Sequence, residues 1–171
     1  RAPEYGILMK SLIQDYRAKW NLGNLPFYFV QLFNIGITSS RNYESTTDDN
    51  TWQMVRQQQY LVAEKSGLEN IGMAVTIETN EERLNFDGNI RIHPHNKKPV
   101  GERLAKIALK EQYGKEIIAY SPFVERTWVE GAKVYVKMKN VGTGLKLRDS
   151  EPNLVGFAIG NASGTYFTAT A

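Results

Sequence analysis

The sequence predicts an α/β region followed by an antiparallel β region. Three observations carry this. Over residues 1–118, segments with apolar residues at helical spacing alternate with short apolar runs. Over residues 119–171, short stretches of alternating character are separated by Gly-rich turns. Ser121-Pro122 stands where one pattern gives way to the other.

The first segment places Tyr5, Leu8, Leu12, Ile13, Tyr16 and Trp20 at helical spacing, with Pro3 near its start and Asn21 and Gly23 past its end. It reads as an amphipathic helix. Pro26 to Leu32 is apolar with too little alternation for a half-exposed strand, and so predicts a buried parallel strand. Asn34 to Asn50 is rich in Ser, Thr, Asn and Asp and is long for a connection in a compact domain. Thr51 is suited to cap a second helix carrying Trp52, Val55 and Val62, which Gly67 ends. A second buried strand follows at Met73–Ile77, then a polar loop from Glu78 to Asn89. The third helix holds Val100, Leu104, Ile107 and Ala108 on one face, with Pro99 in its first turn and Gly114 as its stop. In the β region, strands are expected at Thr127–Val129, Lys133–Lys139, Leu145–Leu147, Phe157–Ile159 and Tyr166–Thr168.

Composition narrows the function. Of the 171 residues, 21 are Lys or Arg and 18 are Asp or Glu, a formal charge of +3, which argues against a polyanion binder and so against a nucleic-acid partner. The absence of cysteine excludes disulfides and thiolate metal sites. No apolar run approaches the roughly 20 residues of a membrane-spanning helix. The chain begins at Arg1 and stops at Ala171 within a strand-like stretch, which leads us to expect a fragment of a longer polypeptide, with room for a signal peptide upstream.

The two histidines, His93 and His95, fall between a polar loop and the N-terminus of the third helix. A helix N-terminus disfavours imidazolium and keeps a histidine neutral, ready to act as a base. A pair of solvated loop histidines is the competing reading. Metal binding is disfavoured, because flanking positions around Pro94 diverge and further ligands are needed; no cofactor is expected either. No serine lies in a Gly-x-Ser-x-Gly elbow, and both Gly160–Gly164 and Gly142–Gly144 read as turns. Lys97, Lys98, Arg103 and Lys106 read as a solvated helix face. Tyr135 and Tyr166 suit cross-strand packing better than sugar stacking. Asn34, at the end of the first strand, is a candidate substrate contact or a loop cap.

Three blocks together carry a resemblance: Leu25-Pro26-Phe27-Tyr28-Phe29-Val30-Gln31-Leu32, Gly72-Met73-Ala74-Val75-Thr76-Ile77, and His93-Pro94-His95-Asn96 through Leu104. With Leu12–Arg17 and Leu154–Ile159, they make the chain similar to the sialate O-acetylesterases, carbohydrate esterases of the SGNH-hydrolase superfamily. The resemblance implies a partial three-layer α/β/α fold over residues 1–118, followed by a small, truncated antiparallel β-sandwich segment over 119–171. It implies hydrolysis of O-acetyl esters on sialic acid or a related glycan, with His93 as general base. The Ser nucleophile and oxyanion hole would belong to an upstream part of the same polypeptide, so this chain alone would be inactive, and the location would be periplasmic or extracellular. The family often has Asp three residues before the histidine, where this chain has Ile90. Asp87 is the nearest acidic candidate for orienting the imidazole; without it, a Ser-His dyad would rely on a backbone carbonyl. Two alternatives stand beside this reading: an acetylxylan-type esterase, and a non-catalytic carbohydrate-binding or structural module.

Overall fold

A computed structural model describes residues 2–33, 50–77, 79, 95–147 and 157–169. The fold is mixed α/β, with three helices and three small two-stranded sheets among the described residues. After a 3-10 turn at Ala2–Glu4, helix α1 runs over Tyr5–Trp20. It ends where Asn21 adopts a left-handed conformation (φ 52°) and its N–H donates to the Arg17 carbonyl at 3.1 Å, a closure that asparagine tolerates better than most residues.

Strand β1, Phe27–Val30, pairs in parallel with β2, Ile71–Ala74, in the register Phe27↔Ile71 to Val30↔Ala74. Helix α2, Asn50–Lys65, lies between them in sequence, and α3, Lys98–Glu111, follows β2. Helix α2 starts one residue before Thr51, which therefore sits inside it and not at its cap. Strand β2 lies two residues earlier than the apolar run Met73–Ile77 suggested. The cause is the hydrogen bonding beyond Ala74, where the Val75 carbonyl accepts from Arg103 and the Thr76 carbonyl from the Thr79 N–H and hydroxyl.

Alternation along the strands sorts the packing. Phe29 and Met73 join Met9, Ile13, Val62 and Phe123 in the buried core, flanked by Phe27 and Ile71. On the other side, Tyr28 and Gly72 lie against Ile107 of α3, which is wholly buried. The apolar spacing of α1 divides between two faces. Met9 and Ile13 are buried, whereas Leu8 (63% exposed), Leu12 (48%), Tyr16 (41%) and Trp20 (58%) form an i, i+4 stripe pointing outward. The single face expected from the sequence is thus two, with the core carried by Met9 and Ile13, one position beyond Leu8 and Leu12.

Strands β3, Phe123–Glu130, and β4, Lys133–Lys139, form an antiparallel hairpin with a register shift between Val124 and Arg126. Thr127–Val129 is only part of the second half of this longer first strand. The Trp128 and Tyr135 rings stack across the hairpin at 5.2 Å and 8°, as cross-strand packing requires, and Arg126 covers Trp128 at 4.9 Å. The hairpin is anchored to the core by Phe123, whose ring lies 5.7 Å from that of Tyr60, and by an ion pair between Lys139 and Glu64 of α2. Leu145–Leu147, expected as a strand, has no strand partner among the described residues. Strands β5, Ala158–Gly160, and β6, Tyr166–Thr168, make the last hairpin. Its turn is closed by Asn161 Oδ1, which accepts from the Ser163 N–H, the Ser163 hydroxyl and the Thr165 N–H. Gly142–Gly144 is likewise a turn, with the Gly144 N–H donating to the Val141 carbonyl.

Candidate functional site

In open α/β sheets, sites form where the chain leaves the carboxyl ends of parallel strands. Here that edge carries an unusual density of buried polar groups. Among the described residues, the buried polar side chains are Gln31, Gln59, Thr76 and Thr79; Gln31 follows directly on the end of β1, and Thr76 and Thr79 lie in the chain that leaves β2.

The two strand ends are tied to each other. The Gln31 N–H donates to the Ala74 carbonyl (2.9 Å), and the Thr76 hydroxyl donates back to the Gln31 carbonyl (2.5 Å). Helix α2 supplies the next layer of contacts. Gln59 accepts from the Leu32 N–H (2.9 Å) and donates to the Val30 carbonyl (3.3 Å) and the Tyr5 hydroxyl (3.4 Å). A single glutamine therefore holds both backbone directions of the chain leaving β1.

Two arginines reach the same edge. Arg103 of α3 donates to the Val75 carbonyl, so it departs from the solvated face on which the sequence placed it. Lys97, Lys98 and Lys106 are exposed, as expected, and Lys98 pairs loosely with Glu102 at 3.6 Å. Arg56 of α2 donates to the Phe33 carbonyl at 3.4 Å, and its backbone carbonyl accepts from Gln31 Nε2 at 3.4 Å. Burial lowers the pKa of the Arg56 guanidinium below the ordinary arginine value. Gln31 Oε1 is buried without a hydrogen-bond partner among the described residues.

Of the residues singled out from the sequence, His93, Asp87 and Asn34 lie outside the described residues. The described residues nearest to them in sequence are informative. Phe33 ends the described stretch after β1, Thr79 ends the one after β2, and His95 opens the one before α3. His95 is exposed, and Asn96 Oδ1 accepts from the Lys98 N–H at 3.2 Å at the start of α3. Among the described residues, no group of three or more His, Asp or Glu is placed to hold a metal ion. A hollow of about 190 Å³ lies instead beside β2, between Glu64, Gly72, Tyr120 and Phe123; it is below the usual size of a ligand pocket and away from the carboxyl ends of the strands.

Sequence reasoning missed Gln31, Gln59, Thr76 and Arg56. The available signal was a glutamine directly after the apolar run Phe27–Val30, where an uncompensated amide is costly and so announces partners.

No protein-family model and no curated protein sequence matches this chain. Among solved structures, it is similar to the crystal structure of a carbohydrate acetylesterase from Xanthomonas citri, with a TM-score of 0.74 and 27% sequence identity. The match covers 99% of this chain and 35% of that one, so this chain spans about a third of the length of that enzyme.

Proposed function

We propose that this chain is part of a carbohydrate esterase that removes O-acetyl groups from sialic acid or a related glycan. The observation that carries this reading is the 27% identical structural match across 99% of the chain to a carbohydrate acetylesterase. The blocks around Gln31, Thr76 and His93, with their resemblance to the sialate O-acetylesterases, narrow it to the sialate type.

In this proposal the α/β part belongs to a three-layer SGNH-type sheet whose other strands come from an upstream part of the same polypeptide. Two features support an additional layer. Strand β1 pairs with β2 and with no other described strand, and Leu8, Leu12, Tyr16 and Trp20 leave α1 with an apolar outer face. The β hairpins are then part of an appended β module, and the enzyme acts in the periplasm or outside the cell.

The proposed reaction is acyl transfer. A serine outside this chain attacks the acetyl carbonyl while His93 accepts the hydroxyl proton. The tetrahedral intermediate then collapses, the bond to the sugar oxygen breaks, and His93 returns the proton to that oxygen. Water, deprotonated by the same imidazole, then attacks the acetyl-enzyme; the bond to the serine oxygen breaks, that oxygen takes the proton back from His93, and acetate leaves. Asp87 is proposed to orient the imidazole, and Asn34 to contact the sugar. The buried ties at Gln31, Gln59 and Thr76 support this by fixing the end of β1, which Asn34 follows closely in sequence.

The test is acetate release from 4-nitrophenyl acetate and from O-acetylated sialic acid by the full-length protein and its His93→Ala variant. A loss of roughly 100-fold or more is expected for a missing general base. Equal, slow hydrolysis by both proteins would reject the esterase reading and favour a carbohydrate-binding module.

A further inference from the structure

We infer that Arg103 is a positioning residue for the general base: it ties the start of α3 to the chain leaving β2, and so joins the two ends of the segment that carries His93. This inference rests on the esterase reading of His93 and deepens it, because it names the residue through which the base is held.

The direction of α3 comes first. Ile107 lies against Gly72 in β2, and Arg103, one turn earlier on the same helix face, donates through Nη1 to the Val75 carbonyl. Going back along the helix from Ile107 to Arg103 means going forward along the chain from Gly72 to Val75. Helix α3 therefore runs opposite to β2, and its N-terminus stands at the carboxyl end of the parallel strands. His93 precedes the first residue of α3, Lys98, by five positions.

The Val75 carbonyl has a particular need for this donor. The Asn70 and Ala74 carbonyls accept from the N–H groups of Phe27 and Gln31, so the even-numbered residues of β2 face β1. Alternation directs the Val75 carbonyl to the opposite edge, where no described strand stands. Arg103 takes the place of that strand. On the β1 side, the Thr76 hydroxyl donates to the Gln31 carbonyl, and Thr76 is 2% exposed. The exit from β2 is thus gripped from both edges, by β1 and by α3.

Both ends of the segment between Thr79 and His95 are also closed locally. The Thr79 N–H and hydroxyl donate to the Thr76 carbonyl, and Asn96 Oδ1 accepts from the Lys98 N–H. Those bonds shape each end by itself, whereas Arg103 sets one end relative to the other. Packing at Ile107 already holds the body of α3, and the Arg103 bond acts about 6 Å nearer the helix start. A small displacement of a catalytic group costs rate out of proportion to the stability lost, so a tie at this place acts on kcat.

The test measures kcat and KM for 4-nitrophenyl acetate, with the urea unfolding midpoint, in the full-length wild type, Arg103→Lys, Arg103→Gln and Ile107→Val. Arg103→Gln is expected to lose about tenfold or more in kcat with KM little changed, and Arg103→Lys to fall between it and the wild type. Ile107→Val trims the packing of the same helix and is expected to lower the midpoint while leaving kcat unchanged. A wild-type kcat in Arg103→Gln, or a kcat loss in Ile107→Val equal to that of Arg103→Gln, would overturn the inference. Should Arg103→Gln fail to fold, Arg103→Lys decides: a reduced kcat supports the tie and a wild-type kcat overturns it. Imidazole ¹H–¹³C NMR spectra, with the His93 signals assigned by their absence in His93→Ala, separate this inference from the esterase reading. If the wild type and His93→Ala hydrolyse the ester equally slowly, the esterase reading falls, and the Arg103 variants then show whether the tie survives it: displaced His93 signals keep it and unmoved ones reject it. Hydrolysis lost in His93→Ala but intact in Arg103→Gln would keep the esterase and reject the role of Arg103.

Discussion

The Cβ that Gly72 lacks would lie 2.7 Å from Cγ2 of Ile107, so β2 and α3 approach each other as closely as they do only because residue 72 has no side chain. The same point would lie 3.0 Å from Tyr28 Cδ1 and 3.2 Å from the Tyr120 hydroxyl. Glycine in a strand interior is otherwise unfavourable, and a close approach of another element is the usual reason for it.

From this contact, Gly72→Ala is expected to destabilise the protein by about 1–3 kcal/mol through overpacking. Ile107→Leu removes the β-branch that bears Cγ2, so the cost of Gly72→Ala is expected to be smaller in that background, though not zero because Tyr28 remains. A double-mutant cycle by urea unfolding measures the coupling. Strict additivity would show that the two residues do not meet.

Thr76→Val keeps shape and removes the hydroxyl that donates to the Gln31 carbonyl. Thr76 is 2% exposed, so water does not replace the lost donor. A loss of about 1–3 kcal/mol is expected in chemical denaturation. A neutral outcome would mean that the strand ends are held without this bond.

Arg17 ties the end of α1 to the approaches of both parallel strands, through the Leu25, Glu69 and Asn70 carbonyls and Asn24 Oδ1. Lysine offers a point charge in place of a fork. Arg17→Lys is therefore expected to lose most of what Arg17→Ala loses, about 1–3 kcal/mol in equilibrium unfolding. Full retention of stability by the lysine variant would refute the fork.

Burial raises the pKa of the Tyr120 hydroxyl well above the ordinary tyrosine value, and the charge of Glu111 and its hydrogen bond to Tyr120 at 3.1 Å push in the same direction. The folded state thus keeps a proton that the unfolded chain releases near pH 10. The stabilising contribution is complete below about pH 10 and is lost as pH rises toward the folded value. Thermal melts between pH 8 and pH 11 should show the wild type losing stability more steeply than Tyr120→Phe. Parallel profiles would place Tyr120 in water.

Much of the local structure is legible in the residues themselves. Helices α1, α2 and α3, the parallel strands, and the turns at Gly142–Gly144 and Gly160–Gly164 follow from spacing, caps and turn chemistry, because these depend on near neighbours in the chain. Where sequence and structure part, long-range contacts are the cause. Strand β2 includes Ile71 and Gly72 because β1 and α3 lie against them. The outward stripe Leu8, Leu12, Tyr16 and Trp20 satisfies the same spacing rule as a buried one, and only the position of α1 against Val62 and Phe29 decides that Met9 and Ile13 face the core.

The site divides in the same way. His93 stands out in the sequence because imidazole is rare in this chain and it precedes a helix, and it lies outside the described residues. Gln31, Thr76, Gln59 and Arg56 do not, since an amide, a hydroxyl or a guanidinium gains its meaning from what it is buried beside, and their bonding partners lie up to 54 residues away in sequence. The sequence by itself determined most of the elements and their order, and set the histidine pair apart as the place where a base would be expected. Only the tertiary structure decided which polar groups leave water together at the strand ends, because burial is a property of the assembled chain and not of any segment of it.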